Sequence, residues 1–235
     1  MSIKEQRRRF LQRWRSRQGP LTLWDLDKRD RFLLKPSLWF FRHGCTANRI
    51  TFAGFLWTLV WIWSYAILGF RHPLVHLFCF IIPIGLTDLF DGSVARNNDD
   101  VTPGGTLGDH FRDLLYTLFL GYMATDYGFD YYLFATVVLL ESLILLFKVV
   151  AFVWYGRGYS WDRFLEFSLD NFQHTYEDRW QSNFLYFGFP AYIVGAYYGI
   201  YALELLGQAL VVFSFGISFF VLRKEWNWAP EKEIK

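Results

Sequence analysis

Residues 88–113 read D-L-F-D-G-S-V-A-R-N-N-D-D-V-T-P-G-G-T-L-G-D-H-F-R-D, in a chain otherwise built of long apolar blocks. Asp88 and Asp91 are three apart, and Asp109 and Asp113 four apart, so each pair shares one face of a helix. A short connection makes the two helices antiparallel neighbours, and the four carboxylates then meet at one end of one crevice. An ionised Asp near the centre of a membrane helix costs about 2.5–3.5 kcal/mol on insertion scales, less toward the interface. Four together also repel one another, so a positive species must sit among them. Hard oxygen donors in this number suit Mg²⁺, with Mn²⁺ as the alternative. Two such ions could clamp a pyrophosphate and stabilise both the attacking and the leaving oxygen. Gly92 and Ala95 leave room beside the acids, Arg96 offers a fork-shaped donor for phosphate, and Gly104 and Gly105 loosen the connection.

Outward from this stretch the chain is 53% apolar and 22% aromatic. Aromatic rings concentrate where lipid meets headgroups and water. A spanning helix needs about 20 apolar residues, and six stretches qualify: 49–70, 74–96, 107–127, 130–155, 183–202 and 204–222. The predicted fold class is therefore all-α, an integral membrane bundle of six transmembrane helices. Residues 1–47 form a basic cytoplasmic or interfacial segment, 48–222 the catalytic domain and 223–235 a cytoplasmic tail. Residues 1–43 hold twelve of the 24 Lys and Arg, and residues 223–235 add four more. The connections near 71–73, 126–130 and 203 offer only Arg71. The positive-inside rule then puts both termini, and the aspartates, on the cytoplasmic side. Residues 3–17 read as an amphipathic helix on an anionic leaflet, with Ile3, Phe10 and Trp14 on one face and arginines around the rest. Residues 161–172 repeat the idea. The first twenty residues lack the apolar core of a secretory signal. Cys45 and Cys79 have neither disulfide nor metal spacing, and no nucleic-acid partner is expected.

At this point the sequence resembles the CDP-alcohol phosphotransferases, whose signature is D-x-x-D-G-x-x-A-R, a spacer of about eight, then G-x-x-x-D-x-x-x-D. Asp88, Asp91, Gly92, Ala95, Arg96, Gly105, Asp109 and Asp113 match every defined position. The resemblance covers about residues 48–222 and implies a six-helix membrane enzyme, often a homodimer. It implies that Asp88, Asp91, Asp109 and Asp113 hold two metals and that Asp113 is also the general base. Gly92, Ala95, Arg96 and Gly105 would line the CDP site, with Thr102 on the donor's phosphate or cytidine. N-R-I-T at 48–51 resembles the family's first-helix motif, adding Asn48 and Thr51. The topology independently puts those two level with the aspartates. Two departures stand out: Ala47 where the family often has proline, and His110, Phe111 and Arg112 between the last two aspartates.

The expected reaction transfers a phosphatidyl group from CDP-diacylglycerol to a small polar alcohol, releasing CMP. The compact size favours the prokaryotic type in the cytoplasmic membrane, with membrane lipids as surroundings. Arg112 and Lys148 are the candidate acceptor contacts, which makes glycerol 3-phosphate the first expected acceptor and an inositol phosphate the second. Two alternatives remain open. One is a transferase taking a soluble CDP-alcohol and a lipid acceptor. The other is a divalent-cation transporter, which would need a polar path across the whole membrane.

Overall fold

In the computed structural model of the chain, residues 12, 20–100, 103–155 and 176–226 are described, and every regular element among them is helical. The expected basic helix over 3–17, the stripe over 161–172 and Thr102 lie outside the described residues. Among the described residues from 20 onward eight helices follow one another: α1 Pro20–Phe32, α2 Leu34–Arg42, α3 Ala47–Ala66, α4 Pro73–Asn97, α5 Pro103–Asp126, α6 Tyr131–Tyr155, α7 Tyr176–Tyr198 and α8 Tyr201–Trp226. The last six fall on the six expected apolar stretches. One boundary is corrected: the final turn lies at residues 199–200 rather than near 203. Gly199 takes φ +68°, a left-handed value that suits glycine, and the Ile200 amide closes the end of α7 onto the Gly195 carbonyl at 2.8 Å.

The chain forms two compact units, residues 1–116 and 117–235, divided within α5. In the first, α4 is the centre. It starts on Pro73, contains one π-helical turn at Leu77–Ile81, and continues as α-helix through Pro83 to Asn97. Pro83 has no amide hydrogen to offer the carbonyl four residues back, that of Cys79. The indole of Trp57 on α3 donates to that carbonyl instead, at 2.9 Å, so the broken ladder is also a helix–helix contact. Further along, α3 approaches α4 at Gly54, where a Cβ would lie 2.4 Å from Thr87 Oγ1. At the other end of this pair Trp61 donates to His76 Nδ1 (3.0 Å) and His76 Nε2 donates to the Phe70 carbonyl (2.7 Å), fixing the ring's tautomer.

In the second unit α7 and α8 form a tight antiparallel hairpin. A Cβ on Gly207 would fall 2.5 Å from the Tyr192 amide nitrogen and 2.6 Å from the Gly188 carbonyl. Backbones this close are the packing that small residues permit in membrane helices. Gln181 on α7 donates to the Glu141 carboxylate on α6, so this acid within the helix has a polar partner.

Polarity is partly inverted relative to a water-soluble fold. Trp61, Tyr65, Phe189 and Val211 are buried, but so are Thr51, Thr58, Ser64, Asp91, Ser93, Arg112, Ser214 and Ser218. Meanwhile Phe52, Leu56, Leu59, Val60 and Trp63 on α3, Phe78, Ile82 and Leu86 on α4, and Phe213, Phe219 and Phe220 on α8 face outward. Among the described residues two helices, α4 and α8 over Tyr201–Arg223, are long and apolar enough to cross a membrane on length and composition alone. Among the described residues α6 is apolar over Tyr131–Ile144, and α3, α5 and α7 have a more polar character. α3 draws its bulk from amphipathic Trp57, Trp61, Trp63 and Tyr65, α5 carries the acids, and α7 opens on Glu177, Asp178 and Arg179.

Candidate active site

The second half of α4 and the first half of α5 carry the acids, and the structure brings all four around one side chain. The Arg112 guanidinium is fully buried. Its Nη1 donates to Asp91 Oδ2 at 2.8 Å, and its Nη2 donates to Asp88 Oδ1 at 2.6 Å, to Asp113 Oδ1 at 2.9 Å and to Asp109 Oδ1. Burial differs among the acids. The Asp91 side chain is closed off at 5% exposure, whereas Asp88, Asp109 and Asp113 keep 35%, 27% and 26%. The cluster therefore has a sealed side at Asp91 and an open side lined by the other three.

The helix geometry explains the gathering. On α4 the i, i+3 spacing turns Asp88 and Asp91 to the same face, and on α5 the i, i+3 and i, i+4 spacings bring Arg112 and Asp113 alongside Asp109. Thr51, in the first turns of α3, donates from Oγ1 to Asp91 Oδ2 at 2.8 Å. Gly54, one turn on, has no side chain, and a Cβ there would sit 3.3 Å from Arg112 Cδ. Three helices thus fix the cluster, with α3 supplying one hydroxyl and one gap.

The donor set fits a hard divalent cation. Oxygens of Asp88, Asp91 and Asp109 lie within 4.8 Å of one another, and carboxylate oxygens are the ligands such ions take. With all four acids ionised, one guanidinium leaves an excess of three negative charges, which further cations would offset.

The expected donor residues are spread more widely. Gly92 and Arg96 stack on α4: a Cβ on Gly92 would meet Arg96 Nη1 at 2.9 Å, so the guanidinium lies directly over the glycine. Ala95 is half-buried beside them, Asn48 is exposed at the start of α3, and Gly105 stands in the first turn of α5. Arg112, expected to face an acceptor phosphate, instead points into the carboxylates. Lys148 lies on α6, and its side chain falls outside the described residues.

One partner was not foreseen. Asp30, at the end of α1, accepts from Arg96 Nε and Nη2, both at 2.8 Å, and from Ser93 Oγ at 3.1 Å, while its carbonyl accepts from Asn97 Nδ2 at 3.2 Å. Its place in the charged run D-L-D-K-R-D-R gives no signal for a contact 66 residues away. The neighbouring Arg29 has a buried Nε with no hydrogen-bond partner. Burial first, and then the charge of Arg96, hold its pKa below the ordinary guanidinium value.

Against known protein families, the CDP-alcohol phosphatidyltransferase model matches residues 45–219. The chain belongs to that family. Its members take a CDP-alcohol donor and an alcohol acceptor, are generally membrane-embedded and depend on divalent metal, so this chain is an enzyme of that class. Comparisons with curated proteins and with solved structures gave no significant match. The match starts after α1 and α2, so Asp30 enters the site from a segment outside it.

Proposed function

We propose that this CDP-alcohol phosphatidyltransferase transfers a phosphatidyl group from CDP-diacylglycerol to a small polar alcohol and releases CMP. The observation that carries the reading is the convergence of Asp88, Asp91, Asp109 and Asp113 on one half-open crevice. A lipid donor is favoured by the outward Phe, Leu and Trp side chains of α3, α4 and α8, because exposed apolar faces of that extent need lipid or a partner. In this reading the helices from α3 to α8 make six spans, and the acid cluster opens at the cytoplasmic surface. Acids gathered at one end, rather than along a path across the bundle, favour transfer chemistry over ion transport.

Asp88, Asp91 and Asp109 would hold one divalent ion, and Asp113 would complete the site for a second. Bound there, Mg²⁺ supplies electrostatic stabilisation to the diphosphate and to the attacking and leaving oxygens. The protein's own share is positioning. Thr51 locks the Asp91 carboxylate from behind. Gly92 leaves room for the Arg96 guanidinium, which lies over it to take phosphate charge. Asp113, on the open side, is placed to accept the hydroxyl proton of the acceptor. Arg112 faces the aspartates and so does not support a phosphorylated acceptor, which leaves the proposal at a small polar alcohol.

The donor is tested with labelled substrates and purified protein in lipid nanodiscs. Label passing from CDP-diacylglycerol into a new phospholipid is the expected result. Label passing only from water-soluble CDP-choline into a lipid acceptor would replace this reading with the soluble-donor one.

A further inference from the structure

In the proposed transfer reaction Arg96 takes donor phosphate charge, and it is tied down by a residue outside the matched segment. Gly92 and Arg96 are four apart on α4, so Arg96 stands about 6 Å further along the helix than Gly92. Asp88, Gly92 and Arg96 follow one another at i, i+4 spacing along one face. A ligand whose phosphates sit at Asp88 and Asp91 would meet the Arg96 guanidinium where it lies over Gly92. The guanidinium has two edges. Nε and Nη2 both go to Asp30, at 2.8 Å each, while Nη1 lies over Gly92.

We propose that Asp30 is a positioning residue for the donor site, holding the Nε–Nη2 edge of Arg96 so that Nη1 is presented over Gly92 to the diphosphate of a CDP-linked donor. The inference rests on the transferase reading. Asp30 is 5% exposed and is contacted by Ser93, Arg96 and Asn97, three residues within one turn or so of α4. A buried ion pair is a weak way to dock one helix on another, because desolvation offsets most of the attraction. Apolar residues would hold α1 in place at least as well. What a bidentate carboxylate adds is a single orientation for a long, otherwise rotatable side chain. Ordering Arg96 beforehand removes that cost from donor binding. Arg29 on the same helix lies close enough to Arg96 for the two guanidiniums to repel.

The test uses the full chain in nanodiscs with Mg²⁺, and CDP as the probe in titration calorimetry. Asp30→Asn, Arg96→Met and the double variant are compared with wild type, alongside Mn²⁺ binding followed by electron paramagnetic resonance. Asp30→Asn is expected to weaken CDP binding about five- to tenfold and to leave Mn²⁺ affinity within about twofold, since the metal ligands are not its partners. In the Arg96→Met background the same change is expected to add nothing. Asp30→Glu keeps the charge and serves if Asp30→Asn does not fold. It is expected to fold and still to bind CDP more weakly, because the longer carboxylate shifts the guanidinium. Wild-type CDP affinity in both Asp30 variants would overturn the inference while leaving the transferase reading intact. So would additive losses in the double variant, or Mn²⁺ and CDP affinities falling together. Failure of wild type itself to bind CDP would overturn the transferase reading and this inference with it.

Discussion

Replacing Arg112 with methionine removes the one guanidinium around which four carboxylates close, and keeps a flexible side chain to fill the space. Its side chain is fully buried and donates to Asp91 at 2.8 Å, Asp88 at 2.6 Å, Asp113 at 2.9 Å and also to Asp109. Removing one partner of a buried ion pair costs about 3–5 kcal/mol. Three of the acids retain 26–35% exposure and can recruit water, so the lower end, about 3 kcal/mol, is expected here. That is a shift of roughly a hundredfold in the folding equilibrium. A divalent cation at the proposed site would address the same oxygens, and at a hundred times its dissociation constant it would return about 2.7 kcal/mol. Unfolding of the nanodisc-embedded protein, followed by tryptophan fluorescence, should show Arg112→Met strongly destabilised in EDTA. Mg²⁺ should recover most of that loss, and its stabilising increment should be larger in the variant than in wild type. Equal midpoints of the two proteins in EDTA, or equal Mg²⁺ increments, would refute the placement of Arg112 as the cluster's internal counter-cation.

Thr51→Val deletes the hydroxyl bonded to Asp91 Oδ2 at 2.8 Å; losing a bond that orients a proposed metal ligand should weaken Mn²⁺ binding about 10- to 100-fold, measured by paramagnetic resonance. Gly54→Ala places a methyl 2.4 Å from Thr87 Oγ1 and 3.3 Å from Arg112 Cδ, and should lower stability by about 1–3 kcal/mol. Because Thr87 and Arg112 must shift, that variant should also lose turnover, read as CMP release. Gly207→Ala meets only backbone near 2.5 Å, at Tyr192 N and Gly188 O, so the α7–α8 hairpin must part, with a larger loss in thermal stability than at Gly54.

Much of the fold and the centre of the site were legible because both rest on short-range regularities. Apolar blocks of about 20 residues located α3 to α8, and three- and four-residue spacings turned the aspartates toward one another. Asn48 and Thr51 illustrate the limit of spacing. The same helix start carries both, but Thr51 is buried against Asp91 whereas Asn48 is exposed. Arg112 shows a second limit. One turn from Asp109, it looked free to face a substrate, but nothing local indicates that the excess negative charge draws it inward. Asp30 was invisible for a different reason: its partners lie on a helix some 60 residues away, and its own neighbourhood reads as an ordinary charged segment. The last turn falls at Gly199 rather than near 203 because apolar blocks mark a helix end only to within several residues, whereas the chain breaks where glycine can take a positive φ.

The central claim is that the α4–α5 carboxylate cluster performs metal-dependent transfer from a CDP-linked lipid. It is tested most directly by CMP release from CDP-diacylglycerol with a panel of small alcohols, with Mg²⁺ or EDTA, for wild type and Asp91→Asn. The account predicts CMP that depends on both an acceptor and Mg²⁺ and vanishes in the variant. Release that persists in Asp91→Asn or in EDTA, or none with any alcohol, would contradict it.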